Sequence, residues 1–267
     1  MEHDYSDAPW RMLNLCLVGA AHHKRLNNCQ DATCTREGTR LRPRTVIANG
    51  RYVVGAVSDG VGSHRYSEVG ARVTATLAAN IVSDGLHRGE RPAAIEARLS
   101  RQLPTALAKL VDVCRDEWIE CCYATLVVAV GTRDWFAVWG CGDGYYAIND
   151  SEPRLTGVTL ADRLPVDYRW GPRGADERPP MLSKLAELKA GEVRGAWIST
   201  DGARFLTDDG KRRRDHMGDP LALSPPIFAG RVAMNTWATR LYDAAVEGRS
   251  QLADDLGLVA FVPREEG

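Results

Sequence analysis

The sequence predicts an α+β fold, in which mainly antiparallel strands form the centre and helices pack on the sheet faces. Strand-like and helix-like stretches do not alternate regularly as in a βαβ array, because two helices follow one another between groups of strands. Asn49 and Gly50 join two strand-like stretches as a two-residue hairpin turn, which favours antiparallel pairing. The length of 267 residues suits the single domain, residues 1–267, that we expect.

The strands are predicted from short stretches in which apolar residues alternate or cluster. These stretches are residues 13–19, 45–48, 51–58, 124–131, 134–140, 145–148, 196–200 and 256–262. The longest apolar run, residues 121–130, is about half as long as a helix that spans a bilayer, so we interpret it as a core strand.

Three stretches have the periodicity of helices with one apolar face. The first covers residues 67–86, with Ser67 as its expected N-cap. Its expected inner face is formed by Val69, Val73, Leu77 and Ile81. We interpret the apolar faces of all three helices as core surfaces rather than binding surfaces.

The other two helices are predicted from residue 92 onward and over about residues 231–247. Pro92 is a favourable first residue, whereas Pro104 is expected to kink or split the second helix. The expected inward residues are Ile95, Leu99, Leu103, Leu107 and Leu110 in the second helix and Val232, Trp237, Leu241 and Ala245 in the third. Residues 161–190, rich in proline, glycine and charge, predict an irregular surface insertion with one short helix, a candidate substrate flap.

The composition is that of an ordinary globular protein, with 44% hydrophobic and 26% charged residues. A net charge of -1 provides no overall field to attract nucleic acid or an acidic membrane, so neither is an expected partner. The acidic N-terminal stretch lacks the pattern of a secretion signal. Together with the seven cysteines, an odd number, this favours reduced thiols and a cytoplasmic location.

Two other kinds of site are disfavoured by the spacing of their motifs. Cys29 and Cys34 lie close to His22 and His23, but no second Cys or His pair follows at the spacing of a structural zinc site. The glycine-rich stretch 140–144 is followed by a strand-like run, whereas a dinucleotide-binding fingerprint needs a helix there.

Aspartates recur at the ends of the predicted strands. Asp59 follows directly on an apolar strand and precedes Gly60, and the others are Asp31, Asp143, Asp201, Asp254 and Asp255. A single Asp-Gly at a strand end usually forms a turn. Their recurrence points instead to carboxylates that meet at one edge of antiparallel sheets, where they would repel one another unless divalent cations lie between them.

Ligands made only of oxygen favour magnesium or manganese over zinc or copper. Glycines next to the acids allow a backbone carbonyl to approach as a further ligand. Two such ions about 3.5 to 4 Å apart can activate a water for attack on a phosphate ester. The sequence therefore predicts a phosphoester hydrolase that uses Mn²⁺ or Mg²⁺.

Six segments, in their order along the chain, resemble the metal-dependent protein phosphatases of the PP2C (PPM) type. They are QDA (30–32), AVSDGVG (56–62), ATLVVAV (124–130), WGCGDGYYAI (139–148), WISTDG (197–202) and ADDLGLV (253–259). His22 and the Cys-Gln-Asp at 29–31 make the compact bacterial branch of the family the most similar. The resemblance extends over residues 15–262.

The resemblance implies a four-layer α-β-β-α sandwich, with two central antiparallel sheets flanked by helices and a two-metal centre at one end. In that centre Asp59 bridges both ions and the carbonyl of Gly60 binds one of them. Asp201 and Asp254 complete the coordination of the other ion. The implied reaction is direct hydrolysis of phosphoserine or phosphothreonine in proteins, without a phosphoenzyme.

Three further residues have roles by resemblance. Asp31 acts in or next to the metal centre, and Asp143 helps to hold a third, weaker ion. An arginine upstream of the acid pair binds the substrate phosphate in the family; Arg25 is one residue out of step with that position, and Lys24 competes with it. We favour Arg25, because a guanidinium binds phosphate in a bidentate manner.

Several departures from the family pattern leave other functions open. Gln30 replaces an acidic residue and removes one negative charge, and Val61 replaces a histidine that eukaryotic members have. The alternatives are a catalytically weak regulatory or binding module, and hydrolysis of a small phosphoester such as a nucleotide. We expect a monomeric Ser/Thr phosphatase whose partner is a phosphorylated protein, for example a cognate kinase.

Overall fold

The computed structural model describes residues 10–20, 22, 28–39, 50–62, 66–114, 124–149, 154–155, 182–205, 231–246, 252 and 254–264. Within them lie ten β-strands and three α-helices. The strands are β1 (Trp10–Leu17), β2 (Asp31–Thr39), β3 (Arg51–Asp59), β4 (Leu126–Gly131), β5 (Trp135–Cys141), β6 (Tyr145–Ile148), β7 (Arg154–Leu155), β8 (Ser183–Lys189), β9 (Ala196–Ser199) and β10 (Leu256–Pro263). The helices are α1 (Ser67–His87), α2 (Pro92–Cys114) and α3 (Arg231–Val246).

The strands form two five-stranded sheets in which every pair is antiparallel. The order in the first sheet is β1, β10, β9, β6, β7, and in the second it is β2, β3, β4, β5, β8. Two short 3-10 helices, Ala190–Glu192 and Asp201–Phe205, lie on either side of β9.

Three apolar clusters hold the layers together because alternate residues of a strand point to opposite faces. The cluster between the sheets includes Trp10, Val53, Val57, Val127, Phe136, Ile198, Val259 and Phe261. On the other face of the second sheet Val54, Ala56 and Val128 pack with α1 and α2. On the other face of the first sheet Trp197 and Leu258 pack with Trp237 of α3. The order helix, sheet, sheet, helix confirms the predicted α-β-β-α sandwich.

The predicted inner face of α1 is confirmed at Ile81, which is buried, and at Val73 and Leu77, which pack against the core, but it is wrong at Val69. Val69 is 38% exposed, while the buried positions are mainly small residues such as Gly70, Ala71, Ala75 and Ala78. The prediction considered large apolar residues, but small residues allow the helix to lie close to the sheet. The expected N-cap is also wrong, since Tyr66 occupies the cap position with a φ of 59° and Ser67 is the first helical residue.

The inner face of α2 is confirmed at Ile95, Leu99, Leu103 and Leu107, which are all buried. The expectation that Pro104 splits this helix is wrong, since α2 continues to Cys114. A proline removes only one backbone hydrogen bond, and the packing of the buried face stabilises the remainder.

Three strands were not predicted from the sequence, namely β2, β8 and the two-residue β7. The partner of β3 on one side is β2, whose exposed face is polar, whereas the predicted strand 45–48 and Asn49 lie outside the described residues. β8 pairs with β5 at the sheet edge, so the expectation of an irregular stretch or short helix is wrong for residues 183–189. Residues 161–181 of the predicted insertion lie outside the described residues.

No helix within the described ranges is long and apolar enough to cross a membrane.

Gly55 of β3 tests how tightly the two sheets pack. A Cβ at this position would lie 2.6 Å from Cγ1 of Val259 and 2.7 Å from Cζ of Phe261. We expect Gly55→Ala to lower the free energy of unfolding by about 1–3 kcal/mol through overpacking, measured by urea denaturation. Gly191→Ala is the matched control, because a Cβ at that position would have no heavy atom within 4 Å. Equal stability of the two variants would contradict this packing.

Candidate metal centre

Asp31 and Asp59 lie directly opposite each other in the second sheet. Asp31 is the first residue of β2 and Asp59 is the last residue of β3, and the antiparallel register pairs them. Cβ atoms of opposed residues are about 4.5–5.5 Å apart, which places the two carboxyls within contact distance. The β2–β3 pair therefore puts two acids at one end of the sheet.

The first sheet brings Asp201 and residues 254–255 to the same end. Asp201 follows β9, while Asp254 and Asp255 precede β10, and β9 and β10 are antiparallel neighbours. The two connections pass very close together, because a Cβ on Gly202 would lie 1.7 Å from the backbone oxygen of Asp255. Only a glycine fits at that point.

Thr200 links the two sheets at the carboxylate of Asp31. Its hydroxyl donates a hydrogen bond of 2.5 Å to Oδ2 of Asp31, and the backbone N–H of Gly257 donates one of 2.8 Å to the same oxygen. The N–H of Gly257 also lies 2.9 Å from Oγ1 of Thr200. Thr200 thus orients an acid that belongs to the other sheet. Sequence reasoning did not identify Thr200, although it lies in the WISTDG segment.

Asp255 has a structural role that the sequence did not separate from that of Asp254. It is buried, and Oδ1 accepts a 2.7 Å hydrogen bond from the N–H of Gly19. Oδ2 accepts from the N–H of Gln30 at 2.6 Å and from Nδ1 of His22 at 2.8 Å. All these donors hold chain segments together, so Asp255 fixes the segment that leads to Asp31.

Asp254 is partly exposed beside this network. Its Oδ1 accepts a 3.0 Å hydrogen bond from the N–H of Asp255. A Cβ on Gly19 would lie 2.2 Å from the backbone carbon of Asp254, so the segment after β1 passes directly against it. Asp254 therefore lies at the predicted end of the sandwich. The donors of Gly19, Gln30 and His22 bind Asp255 and not Asp254.

The backbone around Asp59 is fixed on both sides. Its N–H donates to Oγ1 of Thr125 at 3.1 Å, and its carbonyl accepts from the N–H of Thr125 at 2.8 Å. The next residue, Gly60, donates to the carbonyl of Gln30 at 3.1 Å. A Cβ on Gly60 would lie 2.3 Å from the carbonyl oxygen of Ser67, so the chain there lies against the start of α1.

Burial and mutual repulsion make the two opposed acids hard to ionise. Burial, followed by the charges of Asp31, Asp201 and Asp143, raises the pKa of Asp59 well above its usual range. Burial also raises the pKa of Asp31 to about 7, with help from Asp255 and Asp201 and against the hydrogen bond from Thr200. The two carboxyls face each other, and the charge on each disfavours the charge on the other, so the protonated form is favoured at this pair. A divalent cation provides the same compensation.

The oxygen atoms of this cluster suit a hydrated metal ion. Within the part of the chain that is described, no group of three or more His, Cys, Asp or Glu residues is arranged so that it could hold a metal ion by itself. Mg²⁺ usually keeps several waters and takes only one or two carboxylates from the protein. The buried acids Asp31 and Asp201 and the partly buried Asp59 offer oxygen ligands alone, and this fits a hydrated Mg²⁺ or Mn²⁺ better than zinc.

Of the other residues considered for the site, Asp143 and Gln30 are described by the structure. Asp143, which follows β5, is exposed, yet its charge contributes to the raised pKa of Asp59. The side chain of Gln30 donates to Oγ of Ser67 at 2.9 Å. Arg25 lies outside the described residues.

The sequence model of the protein phosphatase 2C family matches residues 18–216, which is well over half of the chain. No curated protein matches the chain in sequence.

Several solved structures share the fold at low sequence identity. A serine/threonine phosphatase of S. agalactiae is 12% identical with a TM-score of 0.56, and the match covers 96% of this chain and 100% of that one. The serine/threonine phosphatase of Staphylococcus aureus is 12% identical with a TM-score of 0.51, covering 99% and 100%. PppA, a key regulatory component of T6SS in Pseudomonas aeruginosa, is 16% identical with a TM-score of 0.52, covering 97% and 99%.

These structural similarities show a common fold, and the family match covers the strand ends that carry Asp31, Asp59 and Asp201. The chain belongs to the protein phosphatase 2C family.

Proposed function

We propose that the protein is a metal-dependent Ser/Thr phosphoprotein phosphatase and that residues 1–267 form one phosphatase domain. The observation that carries the proposal is the opposed pair of Asp31, which is buried, and Asp59, which is partly buried; the charge of Asp201 helps to raise the pKa of both. Such a group of acids is costly for a protein unless it binds cations. Membership of the family supports phosphate esters as substrates.

Four residues are proposed to hold two Mn²⁺ or Mg²⁺ ions. Asp59 would serve as a ligand of both ions, and the carbonyl of Gly60 would serve one of them. Asp201 and Asp254 would hold the other. When bound, the ions supply positive charge that acidifies a water and neutralises the substrate phosphate.

The remaining residues of the site are proposed to orient Asp31 or to bind an ion or the substrate phosphate. Thr200 and the N–H of Gly257 hold Asp31 in one orientation at the reaction centre. Asp143, on the exposed side, is proposed to help bind a third, weaker ion. Arg25 is proposed to bind the phosphate through its guanidinium fork.

The proposed substrate is a phosphorylated protein, such as a cognate Ser/Thr kinase, and the proposed setting is the bacterial cytoplasm with a monomeric enzyme. The resemblance to serine/threonine phosphatases of known structure supports the substrate class. The cysteines that are described carry free thiols, which agrees with a reducing compartment.

A second candidate function is a regulatory module with little turnover. It is favoured by Gln30, whose neutral amide donates to Ser67 in place of an acid at the site. The two functions differ in one measurable respect. A module would bind Mn²⁺ without hydrolysing a phosphothreonine peptide, whereas an enzyme would do both. A preference for nucleotides over phosphopeptides would indicate a small-molecule phosphatase instead.

Substitution of Asp59 and Asp201 tests the assignment of the metal ligands. We expect Asp59→Asn and Asp201→Asn each to lower the Mn²⁺-dependent hydrolysis of a phosphothreonine peptide by more than about 100-fold, because each removes a proposed ligand charge. The control is Asp243→Asn on the exposed surface of α3. Unchanged hydrolysis by folded Asp59→Asn and Asp201→Asn proteins would refute the site assignment.

Substitution of Thr200 tests its role in orienting Asp31. We expect Thr200→Val, which keeps the shape but removes the donor to Asp31, to lower turnover by about 10–100-fold. Thr200→Ser retains the hydroxyl and should recover most of the activity. Thermal denaturation separates this effect from unfolding, and equal activity of the Val and Ser variants would rule out the positioning role.

Without metal, the stability of the folded protein is predicted to depend on pH. The pKa of Asp31 is raised to about 7 in the folded protein, so its protonated form is favoured by folding. Its contribution is therefore present at low pH and is lost as the pH rises through about 7. In chelator, the free energy of unfolding should be lower at pH 8 than at pH 5.5, and Mg²⁺ should stabilise the protein most at pH 8. Asp31→Asn should weaken both effects; urea denaturation measures them.

A further inference from the structure

Two cysteines lie beside the aspartate cluster and have no role in the proposed reaction. Cys16 belongs to β1 and Cys29 lies just before β2, and their Sγ atoms are 3.3 Å apart. Both are free thiols. A disulfide bond is about 2.05 Å long, so an approach of little more than 1 Å would join the two sulfurs.

The position of Cys16 on β1 makes it reachable. Alternation along the strand places it on the same face as Met12, which packs against the cluster between the sheets. At its own end of the strand Cys16 is exposed, whereas Cys29 is partly buried. The contact with Cys16 and then burial raise the pKa of the Cys29 thiol. Because of its exposure, Cys16 is the sulfur that a small oxidant meets first.

Both thiols are also tied to the backbone around the acids. The thiol of Cys16 donates to the carbonyl of Asp31 at 3.2 Å, and that of Cys29 donates to the carbonyl of Leu17 at 3.5 Å. The residue after Cys29 is Gln30, whose N–H donates to Asp255. A covalent change at this pair therefore acts on the segment that carries Asp31.

We propose that Cys16 and Cys29 are a reversible redox-modification site, at which a peroxide converts the two thiols into a disulfide that joins β1 to the segment before Asp31. Formation of the disulfide does not depend on the proposed phosphatase activity. Its effect on turnover rests on the proposed function, since it acts through Asp31.

The chemistry balances with hydrogen peroxide as the oxidant. The sulfur of Cys16 attacks one peroxide oxygen, the O–O bond breaks, and a sulfenic acid and one water result. The sulfur of Cys29 then attacks that of Cys16, the S–S bond forms, and hydroxide leaves with the Cys29 proton as a second water. In total the two thiols lose two electrons and two protons, and the peroxide becomes two waters.

Peptide mapping tests the disulfide directly. Cleavage after Lys and Arg places Cys16 in peptide 12–24 and Cys29 in peptide 26–36. After treatment of the full chain with hydrogen peroxide and alkylation of the remaining thiols, we expect a linked pair of these peptides in the mass spectrum, and dithiothreitol should separate them. Oxidation of Cys16 to sulfinic acid without any linked peptide would overturn the proposal.

Peptide 26–36 also contains Cys34, and this provides the matched control. Cys34 is buried on β2 among residues that pack against α1 and α2. The link should persist in Cys34→Ser and disappear in Cys16→Ser and in Cys29→Ser. A link that persists in Cys29→Ser would assign the partner to Cys34 and overturn the pairing.

A second readout tests the effect on the acids. Oxidation removes the S–H donor from the carbonyl of Asp31, so we expect hydrolysis of a phosphothreonine peptide to fall several-fold in wild type, to recover with dithiothreitol and to stay constant in Cys29→Ser. Unchanged turnover after complete linkage would overturn this effect. If the reduced protein has no turnover, the proposed function fails, while the peptide map still decides whether the disulfide forms.

Discussion

The site depends on one constraint, which is that two carboxyls, a buried one of Asp31 and a partly buried one of Asp59, face each other across a pair of strands. The register of β2 and β3 leaves Asp31 and Asp59 no way to separate, and burial together with neighbouring acids raises the pKa of both. Two like charges in such an environment need a proton or a cation between them. In the protein alone protonation meets this need, and a divalent cation would meet it with twice the charge. Binding of a cation would then be favoured, because it would relieve a repulsion already present in the fold.

The remainder of the site keeps this pair in place from the opposite sheet. Thr200 and Gly257 lie 169 and 226 residues from Asp31 in the sequence, yet both donate to the same carboxylate oxygen. Their positions are set by the close passage at Gly202, where a side chain would clash with the backbone. A sandwich suits such a site, since its end is the place where connections from two independent sheets can meet without crossing the core.

Most strands could be predicted from the sequence, whereas the side-chain contacts between distant segments could not. The buried strands that end at Asp59 and Asp201 have strong apolar patterns, so the acids at their ends could be recognised from the sequence. β2 could not, because it lies at a sheet edge and only one of its faces is buried. The separate roles of Asp254 and Asp255 were also out of reach, because these neighbours differ only in which distant donors they meet. Hydrogen bonds between remote segments leave no local pattern.

Gln30 shows how the fold adapts to a change of charge at the site. Its backbone ties the first sheet, through Asp255, to the second, through Gly60, while its side-chain amide reaches Ser67 at the start of α1. An ionised carboxylate in its place could accept from Ser67 but could not donate, and it would add a negative charge next to Asp31. The neutral amide therefore anchors the segment before Asp31 and reduces the repulsion that Asp31 and Asp59 experience. It follows that the cation charge needed to balance the acids is smaller here than with a glutamate, so the loss of one acid does not by itself argue against a metal centre.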